Sequence, residues 1–402
     1  MFISGFHFGW QVHVRDATIG LKSYREYLRL KSARSSSSER LAEQDLRFRQ
    51  PFALMQKAIA DKAFPGAALA VSWQGELRVL RGFGQFTYGQ GSPAVAADTI
   101  FDVASLTKAV ATTAMAMLLY ERGFLDLDSP VAAVLPEVTV GSQDSARRQI
   151  TFRMLLTHSS GLPVHARLYE TAHGAEEVFA AAGSLPLEAT PGTHAQYSDI
   201  GFILLGRALE RLADDELAHF CQREIFGPLG MTQTMFKPPA QLRTSIPPTQ
   251  DDQRFRSRIV QGEVDDENAS AMGGVAGHAG LFSTVGDLAL FANHMLNGGA
   301  PILRPESVRL FTRRQEQPAG SSWALGWDTP THPSQSGSYL SPAAYGHLGF
   351  TGTSLWIDPE RQLSVTFLSN RTWPDRRSDK IKQVRPRLHD AIVEALGLVT
   401  KE

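Results

Sequence analysis

The apolar positions of this chain fall into two kinds of pattern, and they alternate in a telling order. From Pro51, the run PFALMQKAIADKAF sets Phe52, Met55, Ile59 and Phe64 near helical spacing and stops at Pro65-Gly66. That predicts an amphipathic opening helix with its proline in the tolerated first turn. The following AALAVSWQGELRVLRGFG holds two β-rich runs separated by Gln74-Gly75, the signature of a hairpin. Near the other end, TSLWIDPERQLSVTFLSN repeats the arrangement around Asp358-Pro359-Glu360-Arg361. Two hairpins so far apart predict one antiparallel sheet assembled from both ends of the chain. Between them, stretches 106–122, 201–213 and 285–297 carry apolar residues at three- and four-residue intervals, so a helical region is inserted into the sheet domain. No period of about 20–50 residues recurs, which argues against a solenoid or propeller.

Composition narrows the classes. With 402 residues the chain can bury a substantial interior. Its 40 basic and 41 acidic side chains are spread through the sequence, leaving a formal charge of −1 and no field suited to a phosphate backbone, so no nucleic-acid partner is expected. The single cysteine, Cys221, excludes an intrachain disulfide and four-cysteine zinc sites, and its expected role is that of a small buried apolar residue. No run approaches the ~18 consecutive apolar residues of a membrane span. Residues 32–38, SARSSSS, read as a polar connection, which divides the chain into an irregular segment over 1–38 and a folded domain over 39–402. The opening MFISGFHFGWQVHVRD lacks a basic start, apolar run and small-residue cleavage site; the expected location is cytoplasmic, or exported if the true start lies elsewhere.

Candidate chemistry centres on FDVASLTKAVATTAMAML, which places Ser105 and Lys108 three apart where a helix begins. Positions i and i+3 share a helix face, so the lysine nitrogen can reach the serine hydroxyl, and the helix start favours negative charge on that oxygen. A lysine desolvated in an apolar cleft can serve as the base a serine nucleophile needs. S-x-x-K alone is also what a solvated helix start displays, but the Ala- and Met-rich sequence that follows points to burial.

With this motif the chain resembles the class C-type serine β-lactamase and penicillin-binding protein family. The likeness continues, in the family's order, through LLTHSSGLP (155–163), QYSDIGFILLG (196–206), IFGPLGMTQTMF (225–236), AMGGVAGHAGLFSTVGDLALFANHML (271–296) and YGHLGFTGTSLWIDPERQLSVTFLSNR (345–371). It spans roughly residues 51–400. The resemblance implies an α+β fold of the β-lactamase/transpeptidase type: an antiparallel sheet of N- and C-terminal strands flanked by helices, an inserted helical subdomain, and a cleft between them. It also implies catalytic roles for Ser105, Lys108 and Tyr197, the last from the motif Tyr197-Ser198-Asp199. The third family motif falls on His347-Leu348-Gly349, with the N–H of Phe350 joining that of Ser105 as an oxyanion hole. Gly349 suits a place of close backbone approach.

Two departures bear on mechanism and substrate. Asp199 stands where the family commonly has asparagine; a carboxylate beside Lys108 should raise the lysine pKa and leave Tyr197 as the acting base. Leu348 lacks the hydroxyl that grips a substrate carboxylate, and His347 is largely neutral at pH 7, so recognition of a β-lactam carboxylate should be weaker. Arg371 is a candidate to supply the missing charge, with a surface salt bridge as the equal alternative.

His158, His165 and His173 match no zinc spacing, so no metal is expected and turn or surface roles are assigned to them. His278 is a cleft or turn residue. The glycines around it lack a nucleotide-loop pattern, and no G-x-S-x-G elbow occurs. The expected activity is acyl transfer through a covalent Ser105 intermediate, without cofactor, on an ester, a D-amino-acid peptide of peptidoglycan type or, secondarily, a β-lactam. The alternative is a non-catalytic peptidoglycan- or penicillin-binding protein with the same cleft. Oligomeric state is not legible.

Overall fold

The opening helix α1 spans Arg49–Ala60 and buries Pro51, Phe52, Met55 and Ala58, the stripe its spacing implies. These positions belong to a computed structural model that describes residues 44–139, 145–331 and 333–399. The expected irregular segment 1–38 lies outside the described residues.

After α1 the chain forms β1 (Gly66–Trp73) and β2 (Glu76–Gly84). Gln74 and Gly75 join them with φ of 53° and 71°, the left-handed pair that a tight hairpin turn requires. The brief strand β3 (Phe101–Asp102) leads to the Ser105 helix, which passes through a π-helical stretch, Lys108–Thr113, into α2 (Ala114–Glu121). Every side chain of that π stretch is buried. Helices α3 (Phe152–Leu156), α4 (Ala175–Ser184) and α5 (Asp199–Ala213) follow in the inserted region. The short strands β4 (Met235–Phe236), β5 (Gln250–Asp252), β6 (Arg258–Val260) and β7 (Leu281–Ser283) precede α6 (Val285–Leu296) and α7 (Pro305–Thr312). Finally β8 (Tyr345–Gly349), β9 (Thr353–Asp358) and β10 (Leu363–Ser369) run into α8 (Ile381–Ala395).

The main sheet has the order β2-β1-β10-β9-β8, with every neighbour antiparallel. Strand β1 therefore pairs with the last strand, Ala67 opposite Ser369 and Trp73 opposite Leu363. Strand alternation sends its side chains to two layers. Ala67, Leu69 and Val71 join the apolar cluster shared with α1 and α8, while Ala68 and Ala70 join the larger cluster built from α2, α5 and α6. A second small sheet, β3-β7-β4, pairs Phe101 with Ser283 and so fixes the approach to Ser105 against the 265–283 segment.

Candidate active site

The turn into the Ser105 helix is strained. Ala104 has φ of 48°, a left-handed conformation rare for a residue with a Cβ, and the Asp102 Oδ1 accepts its N–H at 2.8 Å. Ser105 Oγ then lies 3.1 Å from Lys108 Nζ and accepts from the Tyr197 hydroxyl at 2.7 Å. Lys108 is wholly buried, and its nitrogen also donates to Asp199 Oδ1 at 2.7 Å and to the His278 carbonyl at 2.9 Å. Tyr197 OH lies 3.1 Å from the same Asp199 oxygen. One hydroxyl, one amine, one phenol and one carboxylate thus share a single hydrogen-bond network.

Tyr197 and Asp199 come from the segment before and at the start of α5, and the LLTHSSGLP stretch cradles that segment. His158 O accepts Gln196 N–H at 2.8 Å, His158 Nδ1 accepts Ser198 N–H at 3.0 Å, Pro163 O accepts Ser198 Oγ at 2.6 Å and Val164 O accepts Asp199 N–H at 2.9 Å. Ser198 Oγ also caps α5 by accepting Gly201 N–H. His158 is a turn residue with φ of 54°, but it is buried rather than superficial, because its ring is packed 4.8 Å from Tyr197, 5.1 Å from Phe202 and 4.3 Å from Trp323. Burial, then the charge of Lys108, holds its pKa well below the ordinary value, so the ring is neutral and Nδ1 is free to accept.

The electrostatics reverse one sequence expectation. Asp199 does push the Lys108 pKa upward, yet burial pushes harder the other way, and the net direction is down. Tyr197 moves opposite, raised well above a free phenol by burial and then by Asp199. Burial alone would raise the Asp199 carboxyl, but Lys108 and then His165, whose Nδ1 lies 3.7 Å from Oδ2, hold it below its ordinary range. The surroundings thus shift the amine toward losing its proton and the phenol toward keeping its own.

At the strand edge, His347 is buried and burial drops its pKa to about 3, so it carries no charge near neutrality. Its Nδ1 turns to the Leu348 carbonyl at 2.8 Å. Gly349 is required by packing: a Cβ there would stand 1.9 Å from Thr353 Oγ1 and 2.5 Å from Val103 O, so the close approach is by the nucleophile's own strand. Among the described residues no protein acceptor takes the N–H of Ser105 or of Phe350. Arg371 is not a surface ion pair but a buried cation held by main-chain carbonyls. Its guanidinium donates to the carbonyls of Phe350 (2.7 Å), Arg376 (3.0 Å) and Ser378 (3.0 Å) and lies 4.4 Å from the Phe350 ring centroid.

His278 is a buried residue whose Nε2 meets Asp266 Oδ1 at 2.8 Å. His165, Asp199 and Asp266 bring possible ligand atoms within 4.8 Å of one another, a grouping the spacing of the histidines did not reveal. Asp199 already faces the Lys108 nitrogen and Asp266 the His278 ring, so both carboxylates are engaged within the protein. His173 is exposed and takes no part. Asp102, Asp266 and Trp323 escaped sequence reading, and His158 was read only as a turn or surface residue; the only advance signal was that Asp102, His158 and Asp266 lie within or beside segments that also carry the family likeness.

The sequence profile of the Beta-lactamase family matches residues 52–386. The chain belongs to that family. This Beta-lactamase-family member is a serine hydrolase. A protein of Escherichia coli K12, provisionally named D-alanyl-D-alanine carboxypeptidase, is 34% identical over 308 residues, 68% of this chain and 69% of the other. The N-acetylmuramyl-L-alanine amidase of Bacillus subtilis 168 is 32% identical over 343 residues, 77% of each chain. Among solved structures, the hydrolase EstCE1, described as having promiscuous acyltransferase activity, aligns with a TM-score of 0.66 at 22% identity, over 87% of this chain and 99% of its own. Simvastatin synthase from Aspergillus terreus aligns with a TM-score of 0.67 at 22% identity, over 86% and 98%. At such identities the structural matches speak to the fold, which is of the β-lactamase/transpeptidase type. Among the described residues no helix is long and apolar enough to cross a membrane.

Proposed function

We propose that this chain hydrolyses an ester or D-amino-acid amide of peptidoglycan type through an acyl-enzyme on Ser105, with Lys108 and Tyr197 as its proton carriers. The observation that carries the reading is the shared network of Ser105 Oγ, Lys108 Nζ and Tyr197 OH at 2.7–3.1 Å. Unprotonated Lys108 takes the Ser105 proton as the oxygen bonds to the substrate carbonyl, whose oxygen becomes the oxyanion. The N–H groups of Ser105 and Phe350 receive that negative charge. The Tyr197 phenol gives its proton to the leaving oxygen or nitrogen as the tetrahedral centre collapses, and the Lys108 ammonium restores it. Water then repeats the sequence on the acyl-enzyme, its proton passing to the same pair.

Substrate preference follows from where the cations are. His347 is neutral, Arg371 is committed to three carbonyls, and Arg376 is paired with Asp265 and Glu267 at 3.1 and 2.9 Å. The cations at this strand edge, among the described residues, are thus already held by protein groups, which favours esters and uncharged D-amino-acid derivatives over β-lactams. The names of the curated relatives, a D-alanyl-D-alanine carboxypeptidase and an N-acetylmuramyl-L-alanine amidase, support a cell-wall fragment as the acyl donor.

The test is a substrate panel, comprising a p-nitrophenyl ester, a D-alanine amide, a D-alanyl-D-alanine peptide and a chromogenic cephalosporin, with intact-mass detection of the adduct. Ester turnover that exceeds lactam turnover and disappears in Ser105→Ala is expected. Rapid cephalosporin hydrolysis would reverse the substrate ranking, and activity surviving Ser105→Ala would remove the mechanism.

A further inference from the structure

Asp102 ends β3 three residues before Ser105 and is 2% exposed. Its two oxygens face two different walls of the site. Oδ1 accepts Ala104 N–H at 2.8 Å, holding the left-handed residue that presents Ser105, and Oδ2 accepts Asp265 N–H at 2.6 Å. Asp265 leads into Asp266, whose carboxylate binds His278, whose own carbonyl receives Lys108 Nζ at 2.9 Å. The main chain beside this carboxylate reaches a third wall: Asp102 O accepts Thr351 Oγ1 at 2.8 Å and Val103 O accepts Thr353 Oγ1 at 2.9 Å, flanking the loop that carries the Phe350 N–H.

We infer that Asp102, as a carboxylate, is a positioning residue that locks the Ser105 turn to the loop behind Lys108 and to the strand-edge loop of the oxyanion site. The inference rests on the acyl-transfer reading above and adds a control on it. Both carboxylate oxygens point at N–H donors, so a proton on either would confront one, and an amide at this position would set its own N–H against a main-chain N–H. Such a clash displaces the αL turn and moves Ser105 away from Lys108 and Tyr197.

The charged groups around Asp102 are Asp265 and Asp266 on the adjoining loop, Arg376 paired with Asp265 and Glu267, His278 on Asp266, and the Lys108–Asp199 pair reached through the Ser105 turn. Burial, then repulsion from Asp265, raises the Asp102 carboxyl to about 7. The functional carboxylate is therefore gained as pH rises through about 7 and lost below it. Acylation should follow the same direction.

The experiment measures fluorophosphonate labelling of Ser105 and ester kcat and KM from pH 5.5 to 9 in the wild type, Asp102→Asn and His165→Gln. His165 is included because its neighbour Asp199 raises its pKa above the ordinary histidine value. The expected result is an ascending limb near pH 7 in the wild type, kept in His165→Gln and absent from Asp102→Asn, with kcat of the latter about 100-fold lower at pH 8 and KM nearly unchanged, as for a misplaced nucleophile. A limb that vanishes in His165→Gln belongs to that histidine and overturns the inference even if Asp102→Asn does not fold. Wild-type kcat and an unchanged limb in Asp102→Asn overturn it too. Failure of the wild type to label at any pH would instead overturn the serine-nucleophile reading, and this inference with it.

Discussion

Asp199→Asn tests the balance of charges around the nucleophile with almost no change of shape. The Lys108 nitrogen and the Asp199 oxygen are 2.7 Å apart. At an effective dielectric near 20, a pair at that separation of 2.7 Å attracts by about 6 kcal/mol, and the neutral hydrogen bond an asparagine oxygen could keep is worth about 1 kcal/mol. The ammonium form of Lys108 thus loses several kcal/mol of support, on the order of 5, in a place where burial already disfavours it. The inexpensive response is to release the proton, so the substitution should lower the Lys108 pKa further instead of unfolding the protein. Lysine labelled with ¹³C at Cε reports this directly. The Lys108 signal, assigned by its absence in Lys108→Met, should titrate below the ordinary lysine range in the wild type and lower still in Asp199→Asn. A midpoint unchanged or raised in Asp199→Asn would refute the claim that this carboxylate opposes burial at Lys108, and with it the assignment of the amine as base.

Gly349→Ala should cost about 1–3 kcal/mol in denaturant unfolding, the usual price of overpacking, because the added methyl meets Thr353 and Val103 backbone that cannot withdraw; unchanged stability would mean β8 and β3 do not approach so closely. Arg371→Ala frees the carbonyls of Phe350, Arg376 and Ser378 and should lower ester kcat by up to the 10²–10³-fold typical of a lost oxyanion donor, and Arg371→Lys, lacking the planar fork, should not restore it. Burial lowers His294 and His389 to about 4 and His347 to about 3, so the unfolded chain binds protons that the fold refuses. Stability from these three is complete above their ordinary value of 6.5 and falls with pH from there toward 3–4, by about 1–2 kcal/mol each at pH 5, so Tm should decline before carboxylates of ordinary pKa titrate, with protonation of Asp102 below about 7 offsetting part of the loss. The measurement is a calorimetric Tm series, and a plateau from pH 7 to 5 would contradict it.

Much of the architecture was legible because its signals are local. Gln74-Gly75 and Asp358-Pro359-Glu360-Arg361 announce two hairpins, and the apolar periodicities at 106–122, 201–213 and 285–297 became the helix ending in α2, then α5 and α6. The Ser105–Lys108 spacing and Tyr197 were readable for the same reason, one by helix geometry and the other by likeness to a family motif. What stayed hidden depends on residues joined only by folding. Nothing in the sequence places Asp265 N–H on Asp102 or the His278 carbonyl on Lys108, because main-chain donors and acceptors carry no side-chain signature. The direction of the Lys108 pKa was misread because the sequence displays its partner, Asp199, but not the depth of its burial. The carbonyl partners of Arg371 were not foreseen because a cation aimed at carbonyls and one aimed at carboxylates look alike until the loop is in place.

Strand β1 lies between β2 and β10, and the Ser105 turn is pinned by hydroxyls from Thr351 and Thr353. During synthesis the first hairpin and the Ser105 helix leave the ribosome some 250 residues before those partners do. A nascent chain therefore holds Ser105, Lys108 and Tyr197 well before the hydroxyls that pin the turn. The strand order makes the geometry of the nucleophile depend on the residues that are synthesised last.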